Sequence, residues 1–175
     1  VSGVQRTFKG EVVGQDLTKW GADPQLDFSA ELAKVKASGA EALWVFYPGK
    51  AGPALIKQFE QAGLVGQIPL YSVFTIDAVS LPRLQQAGLK AVLGSKFTQF
   101  WDPTLDNETN KKFVADFRAK YNRYPSFYAA QSYDAINLIN SAVVAVGGDL
   151  ANMDGMRAAM EKADFPSVRA YHPYW

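Results

Sequence analysis

Short apolar segments alternate with helix-length amphipathic segments over residues 11–100, and this alternation constrains the fold more than any other feature. Each apolar segment has the length of a strand, and turns rich in glycine or proline separate it from its neighbours. Because helix-length spacers join the strands, we expect them to run parallel through right-handed crossovers, with helices on both faces of the sheet. The sequence therefore predicts the α/β class with a parallel, doubly wound sheet. The predicted strands are residues 11–18, 42–46, 68–74 and 91–100.

The segment at residues 42–46, ALWVF, is the clearest of these strands. It carries no polar alternation, which predicts a strand buried on both faces. A helix is predicted before it, with Asp27 as N-cap, apolar residues at i, i+4 and i+7 from Phe28, and an end at Gly39. A second amphipathic helix follows the strand and ends at Gly63. Both helices can therefore cover the sheet.

The pattern changes after residue 103, where helical segments follow one another without an intervening strand. Such helices cannot extend the sheet, so we expect them to form a second unit. The boundary falls within residues 98–103. It divides the chain into an incomplete sheet domain, residues 1–97, and a crossing segment with helices, residues 98–175. The predicted helices of the second part are residues 109–121, 126–146 and 153–163.

The residue inventory excludes several kinds of chemistry. Cysteine is absent, so the chain has no disulfide, thiolate metal site or cysteine nucleophile. The one histidine, His172, lies close to the C-terminus, and no carboxylate cluster or phosphate loop is visible. Since 18 basic and 17 acidic side chains are mixed along the chain, nucleic acid is not expected as a partner. No apolar stretch approaches the ~20 residues that span a bilayer. The sequence therefore predicts no enzyme activity, catalytic residue, metal, cofactor or membrane insertion.

Aromatic and hydroxyl residues follow three of the predicted strands. In open parallel sheets, ligands bind beyond the carboxyl ends of the strands, and aromatic walls with a few polar groups commonly line such clefts. Aromatic residues at strand ends also form the rim of a core, and spacing alone leaves both interpretations open. Asp77 is expected to cap the helix after the third strand. The predicted ligand-binding residues are Tyr47, Pro48, Gly49, Phe74, Thr75 and Trp101.

Five segments occur in a recognisable order: DFSAELAKVKASGAEALWVFYPG, IKQFEQAGL, IPLYS, AGLKAVLG and NKKFVADFRAKYNRYPSFYAAQSYDAINLI. Together they resemble the periplasmic solute-binding proteins of the Leu/Ile/Val-binding type, which serve ABC importers. The resemblance implies the type I periplasmic binding protein fold, in which two α/β lobes close on a solute. It places residues 1–97 in the second lobe and the later helices in the first. It also implies a permease partner, a periplasmic or lipid-anchored extracytoplasmic location, and a chain that is a fragment without its first-lobe sheet.

The resemblance also bears on the solute. It places Tyr47 in contact with the solute and puts Phe74 where amino-acid-binding members carry the acid that meets the ammonium group. Burying an ammonium without a carboxylate costs on the order of several kcal/mol, whereas a cation–π contact returns only ~0.5–2 kcal/mol. We therefore expect an aromatic or branched-chain carboxylic acid as solute. A ligand-sensing receptor module of the same fold is the alternative function, while an enzyme of flavodoxin-like shape would need a phosphate loop or catalytic dyad.

Overall fold

The computed structural model describes residues 2–169, so His172 lies outside the described residues. The chain packs into two compact units, Val1–Thr98 and Gln99–Trp175. We refer to them as the sheet unit and the helical unit.

The described part of the sheet unit contains a sheet of three parallel strands. They are β1 (Leu43–Phe46), β2 (Leu70–Val73) and β3 (Lys96–Thr98), with β2 in the middle. Four helices accompany them: α1 (Ser2–Thr7), α2 (Ser29–Ala37), α3 (Ala51–Gln61) and α4 (Leu81–Gln86). Helix α3 joins β1 to β2 and α4 joins β2 to β3, as parallel pairing requires. The predicted parallel α/β class is confirmed.

The core of the sheet unit is built from one face of the sheet and the helices that pack against it. Its largest fully buried side chains include Phe28, Ile56, Phe59 and Leu64. Each side chain of this kind contributes about 1.5–3 kcal/mol when it leaves water. The apolar positions from which α2 and α3 were predicted are therefore positions that pack into this core. The cluster comprises Phe28, Leu32, Val45, Ala51, Leu55, Ile56, Phe59, Leu64, Leu70, Ile76, Leu84 and Ala91.

Helix α2 begins one residue later than predicted. Phe28, rather than Asp27, occupies the N-cap, and its carbonyl accepts the N–H of Leu32 at 2.9 Å. Asp27 lies just outside the helix and accepts the backbone N–H of Ser29 at 3.0 Å. Hydrogen bonds from the Ser29 hydroxyl and N–H hold the pKa of the Asp27 carboxyl below its usual range. The N-cap prediction is wrong by one position because the aspartate forms its own turn before helical dihedrals begin.

Residues 11–18 form no strand, contrary to the prediction. Within residues 2–169 they pair with no other strand, and Val12 and Val13 are 45% and 51% exposed. A strand needs neighbours for its N–H and C=O groups, and adjacent valines would face opposite sides of an extended chain. The segment is held instead by side chains, among them the ion pair of Asp16 with Lys34 at 2.8 Å.

The strand predicted at residues 91–100 is shortened to β3. One carboxylate oxygen of Glu60, in α3, accepts the N–H groups of Lys90 and Ala91 at 2.6 and 2.8 Å. These donors are therefore not available to a ladder with β2, and regular pairing begins only at Lys96. The strand was predicted correctly, but its start was wrong because a side chain distant in sequence takes its first backbone donors.

The second face of the sheet is partly exposed, so the prediction that residues 42–46 are buried on both sides is wrong. Trp44 and Phe46 are 44% and 39% exposed, whereas Val45 between them is buried. Tyr71 of β2 pairs with Trp44 and lies on the same face. The uninterrupted apolar run therefore reflects an aromatic outer face and not burial on both sides.

The described part of the helical unit contains α5 (Glu108–Tyr121), α6 (Phe127–Ala145) and α7 (Met153–Lys162). Each helix starts at a polar N-cap whose side-chain oxygen accepts a backbone N–H of its first turn: Asn107 at 2.8 Å, Ser126 at 3.3 Å and Asn152 at 3.0 Å. Asn122, in a left-handed conformation with φ 50°, ends α5. All three predicted helices are confirmed to within one or two residues, because caps and helical periodicity are local signals.

A buried carboxylate fastens the segment after α7 to α6. Asp134 accepts hydrogen bonds from the Ser167 hydroxyl at 2.6 Å and from the Arg169 guanidinium at 2.9 Å. The same carboxylate accepts the N–H of Val168 at 3.0 Å. The charge of Asp134 is thus compensated inside the unit, as burial of a carboxylate requires.

Candidate functional site

The turns that follow β1 and β2 are hydrogen-bonded to each other. The backbone N–H of Tyr47 donates to the Thr75 hydroxyl with an N–O distance of 3.0 Å. Thr75 in turn donates its hydroxyl proton to the carbonyl of Val73 at 3.1 Å. The structure therefore brings two of the predicted site residues together. Thr75 is buried, and its hydroxyl already accepts one hydrogen bond and donates another. Its role in this geometry is therefore to position Tyr47.

The first turn of α3 lies directly against these two strand ends. A Cβ added to Gly52 would stand 2.3 Å from the carbonyl oxygen of Thr75 and 2.7 Å from that of Tyr47. Only glycine permits this approach, because backbone atoms cannot yield as a flexible side chain does. The turn between β1 and α3 contains Pro48 and Gly49, and Gly49 has φ 71°. Pro48 and Gly49 thus lead the chain from Tyr47 into a helix held close to the site.

Tyr47 is oriented by two residues that come from the segment before β1. Its hydroxyl accepts a hydrogen bond from the Thr18 hydroxyl at 2.9 Å. Its ring meets Phe28 edge to face, with ring centroids 4.9 Å apart. A phenol hydroxyl that accepts one hydrogen bond can also donate another, so a ligand acceptor placed here can bind the Tyr47 proton. Sequence analysis missed Thr18, and no local pattern places it beside a residue so far along the chain.

Phe74 and two further aromatic residues form a row beside the strand ends. Phe46 packs against Phe74 edge to face with centroids 5.8 Å apart, and Trp20 stacks on Phe46 at 5.5 Å with an interplanar angle of 8°. Phe74 has φ 54°, which is uncommon for a bulky residue and costs roughly 1–2 kcal/mol. Such strain persists where surrounding structure enforces it, often at functional sites. Trp20 was not predicted, since it lies in an irregular segment.

Asp77 follows this row and takes part in the turn that leads into α4. Its Oδ1 accepts the N–H groups of Val79 and Ser80 at 2.9 and 2.7 Å. That oxygen therefore stabilises the turn before α4. The N-cap of α4 is Ser80, so the prediction that Asp77 caps this helix is wrong, because the aspartate forms its own turn three residues earlier.

Trp101 belongs to the helical unit, whereas the other five predicted site residues belong to the sheet unit. Its side chain is buried, its indole N–H donates to Asn110 Oδ1 at 2.7 Å, and its ring packs against Phe113 at 6.0 Å. Asn110 Nδ2 also donates to the carbonyls of Pro103 and Leu105 at 3.2 and 3.0 Å. Within its unit, Trp101 therefore acts as part of a small core around Asn110.

A family model described as a periplasmic binding protein matches residues 2–173. The chain belongs to the periplasmic binding protein family. The match runs through both units, so membership of the family covers the sheet unit and the helical unit alike. The resemblance drawn from the five sequence segments is confirmed.

Solved structures of other periplasmic binding proteins share the fold. A solute-binding protein of an ABC transporter from R. palustris, in complex with benzoate, is 34% identical, with a TM-score of 0.84. The match covers 97% of this chain and 45% of that protein. A second one, from Rhodopseudomonas palustris BisB5 in complex with 3,4-dihydroxybenzoic acid, is 29% identical, with a TM-score of 0.70. The match covers 85% of this chain and 39% of that protein. A branched-chain amino acid transporter substrate-binding protein from Streptococcus pneumoniae, in complex with isoleucine, is 24% identical, with coverages of 96% and 46% and a TM-score of 0.77. At that identity, the likeness concerns the fold alone.

This periplasmic binding protein chain spans less than half the length of these three relatives. A search of the curated proteins found no match. Among residues 2–169, no group of three or more histidine or acidic side chains is arranged to hold a metal ion. Within the same residues, no helix combines the length and the apolar character needed to cross a membrane.

Proposed function

We propose that this periplasmic binding protein is the solute-binding component of an ABC transporter and that its solute is a small carboxylic acid with an aromatic or branched-chain body. The geometry of Tyr47 carries the proposal. Thr18 contacts the phenol hydroxyl and Phe28 contacts the ring, so the side chain is oriented while its hydroxyl can still donate to an acceptor. A hydrogen bond from that proton to a carboxylate is charge-assisted and roughly twice as strong as a neutral one.

The aromatic row supports an aromatic body in preference to an aliphatic one. Phe46 and Phe74 meet edge to face, and Trp20 extends the row. Aromatic rings bury about 150–250 Å² each and attract further rings at offset or perpendicular angles. A benzoate-like ring beyond the strand ends, against Phe74, would contact apolar surface while its carboxylate reaches the phenol of Tyr47.

The position of Phe74 argues against a plain α-amino acid. An ammonium group placed there would meet a ring, and Asp77 Oδ1 is already bound to two backbone N–H groups. The loss of a charge partner outweighs what a ring returns. The relatives at 34% and 29% identity, in complex with benzoate and 3,4-dihydroxybenzoic acid, support the same preference.

The proposed mechanism is binding without bond chemistry. The proposal takes residues 1–97 as part of the second lobe and residues 98–175 as the crossing and the helices of the first lobe, and it keeps Tyr47 and Trp101 as proposed solute contacts. Solute shifts the population toward a closed form through contacts made only there. A membrane permease then recognises the closed form. The protein would act in the periplasm, or outside the cytoplasm on a lipid anchor.

Isothermal titration calorimetry of the full-length protein with benzoate, 4-hydroxybenzoate and leucine tests the proposal. We expect at least one aromatic acid to bind and leucine to give no heat. Tyr47→Phe should weaken aromatic acid binding about tenfold, since a charge-assisted hydrogen bond contributes about 1.5–3 kcal/mol. Tight leucine binding without any response to the aromatic acids would overturn the solute assignment.

A further inference from the structure

A groove of about 470 Å³ lies at the C-terminal end of α5 in the helical unit. We call it the arginine groove. Two alanines one turn of helix apart, two arginines, an asparagine and a tyrosine line it. The lining residues are Ala115, Arg118, Ala119, Asn122, Arg123 and Tyr124.

Aromatic rings hold both arginines in place. The Arg118 guanidinium lies over the Tyr124 ring, 4.5 Å from its centroid, and the Arg123 guanidinium lies 5.3 Å from the centroid of Phe117. The left-handed Asn122 reverses the chain between them, with φ 50°. A guanidinium that stacks through its face keeps its in-plane N–H groups for an acceptor, and the contact reduces the entropy lost when that acceptor binds.

The two arginines have no acidic partner in the described part of the chain. Elsewhere in the helical unit, Arg157 pairs with Asp154 and Arg169 with Asp134. Over residues 2–169, neither Arg118 nor Arg123 takes part in an ion pair. Attraction to the negative end of the helix dipole stabilises an arginine at this position by about 0.3–1 kcal/mol. This attraction does not explain why the two arginines line a groove.

We propose that the arginine groove binds carboxylate side chains of an acidic segment on a partner protein. Arginine matches a carboxylate with two parallel N–H···O bonds, and the small side chains of Ala115 and Ala119 in the lining leave room for the methylene groups of a glutamate. The positive charge is local, since acidic residues slightly outnumber basic ones over residues 99–175. A broad basic face of the kind that adsorbs to anionic lipid is therefore not what this unit presents. The inference does not depend on the proposed function.

Hexaglutamate peptide is the probe, titrated into the isotopically labelled 175-residue chain and followed by NMR. We expect the side-chain Nε–Hε signals of Arg118 and Arg123 and the amide of Tyr124 to shift, with weaker binding as salt rises. Arg118→Gln with Arg123→Gln should reduce affinity by about tenfold or more. The matched control, Lys57→Gln with Lys162→Gln, removes the same charge from exposed positions outside the groove and should bind as the parent chain does.

Equal loss of affinity in both double variants, or no shift at the three named signals, would overturn the proposal. Inorganic phosphate and phosphatidylglycerol vesicles are titrated into the same labelled chain for comparison. If the same signals respond more strongly to phosphate or to the vesicles than to hexaglutamate, the proposal is also overturned. The groove would then prefer a phosphate group to a carboxylate.

Discussion

Gln58 of α3 clamps the backbone around Phe28. Its side-chain oxygen accepts the N–H of Phe28 at 2.7 Å, and its side-chain nitrogen donates to the carbonyl of Leu26 at 2.7 Å. Phe28 then packs against the ring of Tyr47. Helix α3 therefore reaches the candidate site twice, once through its first turn at Gly52 and once through Gln58.

Replacing Gln58 with leucine should destabilise the sheet unit by about 1 kcal/mol, because the part-buried N–H of Phe28 and the exposed carbonyl of Leu26 lose their partner. Gln61→Leu, at an exposed position of the same helix, should change the free energy of unfolding by less than about 0.5 kcal/mol. Urea denaturation measures both values. Similar losses in the two variants would contradict the clamp.

Thr18→Val should weaken binding of an aromatic acid about fivefold, since it removes the hydroxyl that orients the Tyr47 phenol while keeping the side-chain volume. The melting temperature should change little, because the segment around Thr18 is largely exposed. Calorimetric titration of the full-length variants measures the effect. Thr18→Ser retains the donor and should bind as the unmodified protein does. Equal weakening by serine and valine would show that the hydroxyl is not responsible.

Phe74→Gly should be more stable than Phe74→Ala by about 1 kcal/mol, the reverse of the usual order. Both variants lose the ring, but only glycine adopts φ 54° without strain. Denaturant unfolding of the two variants compares them directly. At Val79, which lies outside the left-handed region, alanine should be the more stable of the pair. The same order at both positions would mean that the backbone of Phe74 is not strained.

Asp134→Asn should destabilise the helical unit by about 3 kcal/mol, because it removes the charge that three donors of the segment after α7 approach. Asp154→Asn also removes one acidic partner of an arginine, but this pair is exposed and should contribute less than about 1 kcal/mol. Thermal and urea unfolding measure the difference. Comparable effects of the two substitutions would contradict the structural role of Asp134.

The pKa of Asp27 is lowered by its hydrogen bonds with Ser29, and this has a consequence for stability at acid pH. A group whose folded-state pKa is depressed contributes stability above its unfolded value, near 3.8, and loses it as the pH falls through the folded value. The melting temperature of the unmodified chain should therefore exceed that of Asp27→Asn at neutral pH, with the difference vanishing on acidification. A difference that stays constant from pH 7 to pH 2 would contradict this linkage.

Sequence pattern predicted the helical unit almost completely. Its caps at Asn107, Ser126 and Asn152 and the apolar spacing behind them are contained within single helices. The candidate site was predicted only in part. The strand-end rule selected Tyr47 and Phe74, whose roles as solute contacts stay predictions, but it could not select Thr18 or Trp20, which come from a segment without regular structure.

The sequence by itself determined which segments become helices, that the sheet is parallel, and which family the chain belongs to, because these follow from hydrogen bonds and apolar periodicity within a few residues or from an ordered set of motifs. Only the tertiary structure decided the rest. The irregular path of residues 11–18 and the left-handed backbone of Phe74 have no local sequence signal. The late start of β3 arises where the carboxylate of Glu60, distant in sequence, takes backbone N–H groups. Such an interaction depends on three-dimensional proximity, which local spacing does not encode.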